Sequence, residues 1–264
     1  MTAKQRGCQN SAELWLVDLA HSAPLLEQME RELPRLGTVD RAEILALKPA
    51  ELRQRRLSAH VALRLLLERA AGSGVRGSDL ERQAGGKPRL RGLAGEVEFS
   101  LSHADDLVLI AVGRGCAIGV DLERVRAVNI SPARRLGILR AAAALSPAPS
   151  AEVPTDEAFM RAWVRLEAVA KATGGGLAHT LSALGLRPGG ASVSPAEVAR
   201  LARNFMATRR LAVHDLALAV DAVAAVAIAG LVGVPPVRAF PSDHAGIAGL
   251  LREPSPWQAR SDDL

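Results

Sequence analysis

The sequence predicts an α+β fold made of two halves of similar size. Three observations carry that expectation. A strand, helices and short strands follow one another from Glu13 to Gly113, and a second strand–helix–strand run follows, the two meeting near Gly113 to Cys116. Apolar residues recur at three and four positions in the helical segments, whereas the strand segments alternate or are apolar throughout. The chain has 264 residues, 48% hydrophobic and 23% charged, enough for one large domain or two small ones with a proper core. The halves are expected at residues 1–114 and 115–235. Residues 236–264, with several prolines and polar residues, are expected to form a flexible tail.

In order along the chain, "ELWLVDL" (Glu13 to Leu19) reads as the first strand. A helical region from about Pro24 to Leu47 follows, broken near Pro34 and Gly37. "PAELRQRRLSAHVALRLLLERAAG" carries a strong helix pattern, with Pro49 at the start and Gly72 at the stop. Leu57, Val61 and Leu65 fall on one stripe of it. Arg53, Arg56, His60 and Arg64 fall on another, a basic ridge that is either a solvated face or an anion-binding one. Short strands are expected at Val97 to Leu101, Leu107 to Val112 and Ala117 to Leu122, with turns at Ala104 to Asp106 and Gly113 to Gly115. Asn129 to Ser150 reads as helix and then loop, ended by Pro147 and Pro149. A helix from Asp156 to Thr173 stops at three glycines, Gly174 to Gly176. Short strands, a brief helix from Pro195 to Phe205, and an Ala/Val-rich hairpin turning near Asp221 complete the pattern.

Composition narrows the function. The net charge of +5 favours acidic or phosphorylated partners. The basic residues are dispersed, Tyr is absent and aromatics are 3%, so nucleic acid is not an expected partner. The two cysteines, Cys8 and Cys116, have no metal-ligand or redox spacing and are expected as reduced thiols in a cytoplasmic protein. The N-terminal segment lacks a signal-peptide core. The most apolar stretch, "LALAVDAVAAVAIAGLVGV", is interrupted by Asp221 and falls short of the roughly 20 residues of a membrane-spanning helix. No membrane partner is expected.

Four motifs bear chemistry. In "CAIGVDLERV", Asp121 and Glu123 are two apart on an otherwise apolar strand and share one face. Two like charges so placed repel unless something positive lies between them, either Mg²⁺ or the neighbouring Arg124 and Arg126. Loss of one acid is therefore expected to hold or raise stability without Mg²⁺. In "FMRAWVRLEAVAKATGGGL", Trp163, Glu167 and Lys171 lie along one helix face. Glu167 and Lys171 are either a surface ion pair or a third carboxylate and a cation for phosphoryl chemistry. "FSLSHADD" puts Ser102 and His103 at a strand end, and "GGKPRL" puts Lys87 after two glycines in a loop an anion could approach.

Taken in order, "RRLSAHVALRLLL", "GGKPRL", "FSLSHADD", "IGVDLERV" and "WVRLEAVAKATGGGL" resemble the 4′-phosphopantetheinyl transferases of the larger, monomeric Sfp type. The resemblance is close from Arg53 to Leu177 and loose elsewhere. It implies a pseudo-twofold pair of α+β halves with coenzyme A in the cleft between them. It implies Mg²⁺-dependent transfer of the phosphopantetheine arm to a serine of an apo acyl or peptidyl carrier protein, releasing 3′,5′-ADP. The family's metal acids fall on Asp121, Glu123 and Glu167. Its catalytic lysine falls on Lys171, and Glu167 is the implied base for the carrier serine. Ser102, His103 and Lys87, with Arg53 or Arg56, are implied in holding the phosphates.

One position departs from the pattern. Members commonly read W-x-x-K-E-A-x-x-K, and Leu166 stands where the first lysine is expected. Arg165 beside it points about 100° away on a helix and does not simply replace it. The departure leaves an alternative open, a coenzyme A-binding regulatory or scaffold protein without transfer activity.

Overall fold

The computed structural model describes residues 11–83, 85–93, 96–146, 155–186, 193–230, 233–253 and 255. The chain is a mixed α+β structure. Strand β1 (Ser11–Asp18) runs into α1 (Leu19–Glu32), followed by α2 (Thr38–Leu45) and the long α3 (Ala50–Ala71). Two short strands, β2 (Leu80–Arg82) and β3 (Pro88–Leu90), pair as a ribbon. Next come β4 (Val97–Ala104), β5 (Leu107–Arg114), β6 (Ile118–Glu123), α4 (Pro132–Leu145) and α5 (Asp156–Thr173). The chain continues through α6 (Gly176–Ala183), α7 (Pro195–Arg209), β7 (Leu211–Leu216), β8 (Val223–Ala229), β9 (Val237–Ala239) and α8 (His244–Arg252).

Two principal sheets result, in the orders β4-β5-β1-β9 and β6-β8-β7. In the first, β4 and β5 form a hairpin and β5 pairs antiparallel with β1. In the second, β7 and β8 form a hairpin and β8 pairs antiparallel with β6. One hydrophobic cluster joins β1, β4 and β5 to α1 and α3, centred on Val61, Leu65, Phe99 and Ile110. A second joins α4, α5 and α7 to β7 and β8, and includes Phe159, Leu166, Val169 and Phe205. A third, from Leu14 and Leu109 to Ile118, Val120 and Val226, packs one sheet against the other.

Local chemistry explains the strongest elements. Asp18 caps α1 by accepting from the Ala20 amide at 3.0 Å, so this helix begins earlier than the expected Pro24. Pro49 and Gly72 bracket α3 as expected, with Val61 and Leu65 fully buried and Leu57 packed at the cluster's edge. Thr155 accepts from the Ala158 amide at 3.1 Å at the start of α5, and Gly174 ends it at φ +71°.

The basic ridge on α3, open from sequence between a solvated and an anion-binding face, is not uniform, because Arg64 is buried and bonded to Asp40 of α2. Three expectations are corrected. The segment after the three glycines contains helix α6 rather than short strands. The hairpin is built from Leu211–Leu216 and Val223–Ala229, so Leu216 of the "LALAV" run ends its first strand and residues 217–222 lie in its loop. Residues 237–252 are not a flexible tail: β9 adds to the first sheet parallel to β1, and α8 buries Ile247 and Leu250 in the first cluster. Cys8, Pro147 and Pro149 lie outside the described residues.

Candidate active site between the two sheets

Two close backbone approaches build the site. Gly119 of β6 lies against α5, where a Cβ would stand 2.1 Å from the Ala168 carbonyl oxygen and 2.3 Å from the Ala172 nitrogen. Only glycine lets strand and helix come this near. Gly85, in the β2–β3 loop, packs on the end of α5, where a Cβ would stand 1.5 Å from the Gly174 carbonyl oxygen. The first contact brings Asp121 beside Lys171. The second brings the loop carrying Lys87 to the end of the same helix.

Side chains then bridge the sheets. Ser100 Oγ accepts from the Val120 amide at 3.0 Å, joining β4 to β6. Ser102 Oγ donates to Asp121 Oδ1 at 2.7 Å, and Lys171 Nζ donates to the same oxygen at 2.7 Å and to Ser102 Oγ at 3.0 Å. Asp121 is only 5% exposed, and its Oδ2 is buried with no partner among the described residues. Lys87 Nζ donates to Glu98 Oε2 at 2.9 Å and to the Ile118 carbonyl at 3.0 Å.

A cleft of about 480 Å³ opens here, with Arg56, His60, Arg82, Lys87, Glu167 and Lys171 on its walls. Burial raises the Glu167 pKa above the usual carboxylate value, and the charges of Asp121 and Glu123 add to the rise while Lys171 opposes it. The His103 pKa is lowered by burial and by the positive charges of Arg56 and Lys171, against the pull of Glu123 and Asp121. A smaller hollow on the other side of Arg56 takes His103, Leu47 and Leu52.

The structure thus brings together Ser102, Asp121, Glu167 and Lys171, with Lys87 and Arg56 on the same cleft. It separates others. Arg53 donates to the Leu47 carbonyl at 3.4 Å and is not on the cleft wall. Trp163 stacks on Phe159, with ring centroids 6.2 Å apart, and packs against the second cluster instead of facing the cleft. Leu166 is fully buried in that cluster, and Arg165 is drawn away by a two-pronged pair with Asp215, both contacts at 2.6 Å. Of the two arginines near the acids, Arg126 pairs with Glu123 at 2.8 Å, while Arg124 reaches Asp105 at 3.9 Å. Among the described residues, no group of three or more His, Cys, Asp or Glu is gathered as metal ligands.

Two partners were missed from sequence, Glu98 and Ser100. Glu98, Ser100 and Ser102 alternate along β4, and that period of two was the available signal. No protein-family model matches the chain, and no curated protein matches it.

Proposed function

We propose that this protein transfers the 4′-phosphopantetheine arm of coenzyme A to a serine of an apo acyl or peptidyl carrier protein, releasing 3′,5′-ADP. The observation that carries the reading is the meeting of Lys171 with Asp121 and Ser102 beside Glu167, at the edge of a cleft that Lys171, Glu167, Arg56 and Lys87 line. In this reaction the serine oxygen attacks the phosphorus bearing pantetheine. A P–O bond forms there, and the P–O bond to the 5′-phosphate of the departing nucleotide breaks. Glu167 takes the serine proton, and Lys171 offsets charge on the leaving diphosphate oxygen. Arg56, Lys87 and His103 hold the phosphates, each within or beside the cleft.

Asp121, Glu123 and Glu167 would hold Mg²⁺. The unpartnered Oδ2 of Asp121 and the charges of Asp121 and Glu123 felt at Glu167 favour a divalent cation, which would have to draw the three carboxylates together, since they are not gathered as a ligand set here. When bound, Mg²⁺ supplies charge neutralisation at the pyrophosphate. The halves are further inferred to be related by a pseudo-twofold axis. In support, each sheet sets a first strand antiparallel to the last strand of a hairpin, as β4-β5-β1 and β7-β8-β6. A monomeric, cytoplasmic enzyme completes the proposal. In keeping with a reducing compartment, Cys116 is a buried free thiol, and no helix among the described residues is long and apolar enough to cross a membrane.

The alternative is a coenzyme A-binding regulatory or scaffold protein. It is favoured by the internal neutralisation of Asp121 by Lys171 and of Glu123 by Arg126. Mass spectrometry of a panel of apo carrier proteins, incubated with coenzyme A, Mg²⁺ and this protein, separates the two. The expected result is one phosphopantetheine added to at least one carrier, with kcat lowered about 10²-fold in Lys171→Ala. Coenzyme A binding with no carrier modified establishes the alternative.

A further inference from the structure

Helix α3 contributes Arg56, His60 and Leu63 to the cleft wall. Arg56 and His60 are four residues apart and share a helix face. Arg56 has no ion pair or hydrogen bond among the described residues. Charged neighbours surround His60. Arg64 on the same helix is buried and bonded to Asp40, and Arg82 of β2 pairs with Glu43 of α2 at 2.7 Å. His103 of β4 also faces His60.

Burial, then the charges of Arg56, Arg64, His103 and Arg82, lower the His60 pKa from 6.5 to about 3. The imidazole is therefore neutral at physiological pH. Its Nδ1 is buried and bonded to nothing among the described residues. A buried N–H without an acceptor is rarer and costlier than a bare lone pair. That assigns the single ring proton to Nε2. The ring then offers the cleft one directional N–H, a helical turn from an unpaired guanidinium. A neutral donor beside a free cation suits an anionic oxygen, and a phosphate monoester is the anion that coenzyme A carries away from its pyrophosphate.

Resting on the coenzyme A reading above, we propose that His60 is a specificity residue, donating from Nε2 to the ribose phosphate of coenzyme A while Arg56 neutralises it. The cleft thereby prefers coenzyme A to dephospho-coenzyme A. Glutamine keeps an N–H donor at the end of a side chain of similar reach, whereas alanine removes it.

The test is isothermal titration of coenzyme A and dephospho-coenzyme A into the wild-type protein, His60→Ala and His60→Gln at pH 7.5. The wild type is expected to prefer coenzyme A. His60→Ala is expected to weaken coenzyme A binding about tenfold, the scale of one hydrogen bond to a charged group, and to leave dephospho-coenzyme A within about twofold. His60→Gln is expected to recover most of the preference. Equal weakening of both ligands in His60→Ala would show a purely structural role and overturn the proposal. So would a full preference retained by His60→Ala, which leaves the coenzyme A reading standing. Failure of the wild type to bind either ligand overturns both.

Discussion

Asp121 has two oxygens with different surroundings: Oδ1 accepts from Lys171 and Ser102, and Oδ2 accepts from nothing described. From sequence, the acid pair was expected to be a source of repulsion, so that losing one acid would hold or raise stability without Mg²⁺. The structure reverses the sign. Asp121→Ala strips the buried Ser102 and the partly exposed Lys171 of their shared acceptor, and we expect a loss of about 1–3 kcal/mol. Urea unfolding without Mg²⁺ measures it, and an unchanged or raised midpoint would restore the repulsion view. The acids, Lys171, Ser102 and Lys87 were legible because each lies in a short motif. The bonds between them were not. Periodicity relates neighbours on one strand or helix, whereas Lys171 meets Asp121 across a strand–helix contact that Gly119 permits.

At the scale of the element, α5 was legible almost residue for residue. Its Thr155 cap, its glycine stop and a buried stripe through Phe159, Ala162, Leu166 and Val169 agree with one another. Helix α6 was not legible, since it is only 8 residues long and its Gly175 cap supplies no side-chain bond. The stripe also decides the meaning of Leu166. From sequence alone, a lysine at this position could either add a cation toward coenzyme A or an acidic carrier helix, or bury an uncompensated charge in the helix packing. Leu166 instead belongs to the second hydrophobic cluster, one position round the helix from Glu167. Leu166→Lys therefore removes a fully buried side chain and forces an ammonium toward the core. We expect a loss of at least about 3 kcal/mol and no gain in coenzyme A affinity. Thermal unfolding with KM for coenzyme A checks this; a lower KM at unchanged melting temperature would mean that the side chain reaches the cleft.

At the scale of the whole molecule, the chain closes on itself: after β8 of the second sheet it returns to the first. Backbone pairing sets Leu14, Trp15 and Leu16 opposite Val237, Arg238 and Ala239, and the Phe240 amide donates to the Leu16 carbonyl at 2.8 Å. Side chains reinforce the return. Arg238 reaches Glu13 at 3.3 Å and lies 5.5 Å from the Trp15 ring centre, and Phe240 meets the same ring edge-on at 6.5 Å. This strap was hidden from sequence because its strand has 3 residues and its prolines and polar residues resemble a loose end. Its apolar residues have meaning only against Trp15 and α3, which are more than 150 residues away by chain numbering. The strap also covers the edge of β1 that β5 leaves open, so it protects a strand whose other face helps pack the two sheets together through Leu14. If residues 237–252 were a flexible tail, Phe240→Ala would change stability by no more than about 0.5 kcal/mol, as exposed substitutions do. Phe240 is instead 7% exposed within the first cluster, so its truncation is expected to cost roughly 3 kcal/mol. The same variant should speed amide exchange at Leu16 and along α8 while leaving β7 and β8 protected, because their hydrogen bonds lie wholly in the second sheet. Equilibrium unfolding and native-state exchange together decide it: wild-type stability and unchanged exchange in Phe240→Ala would return these residues to the status of a tail.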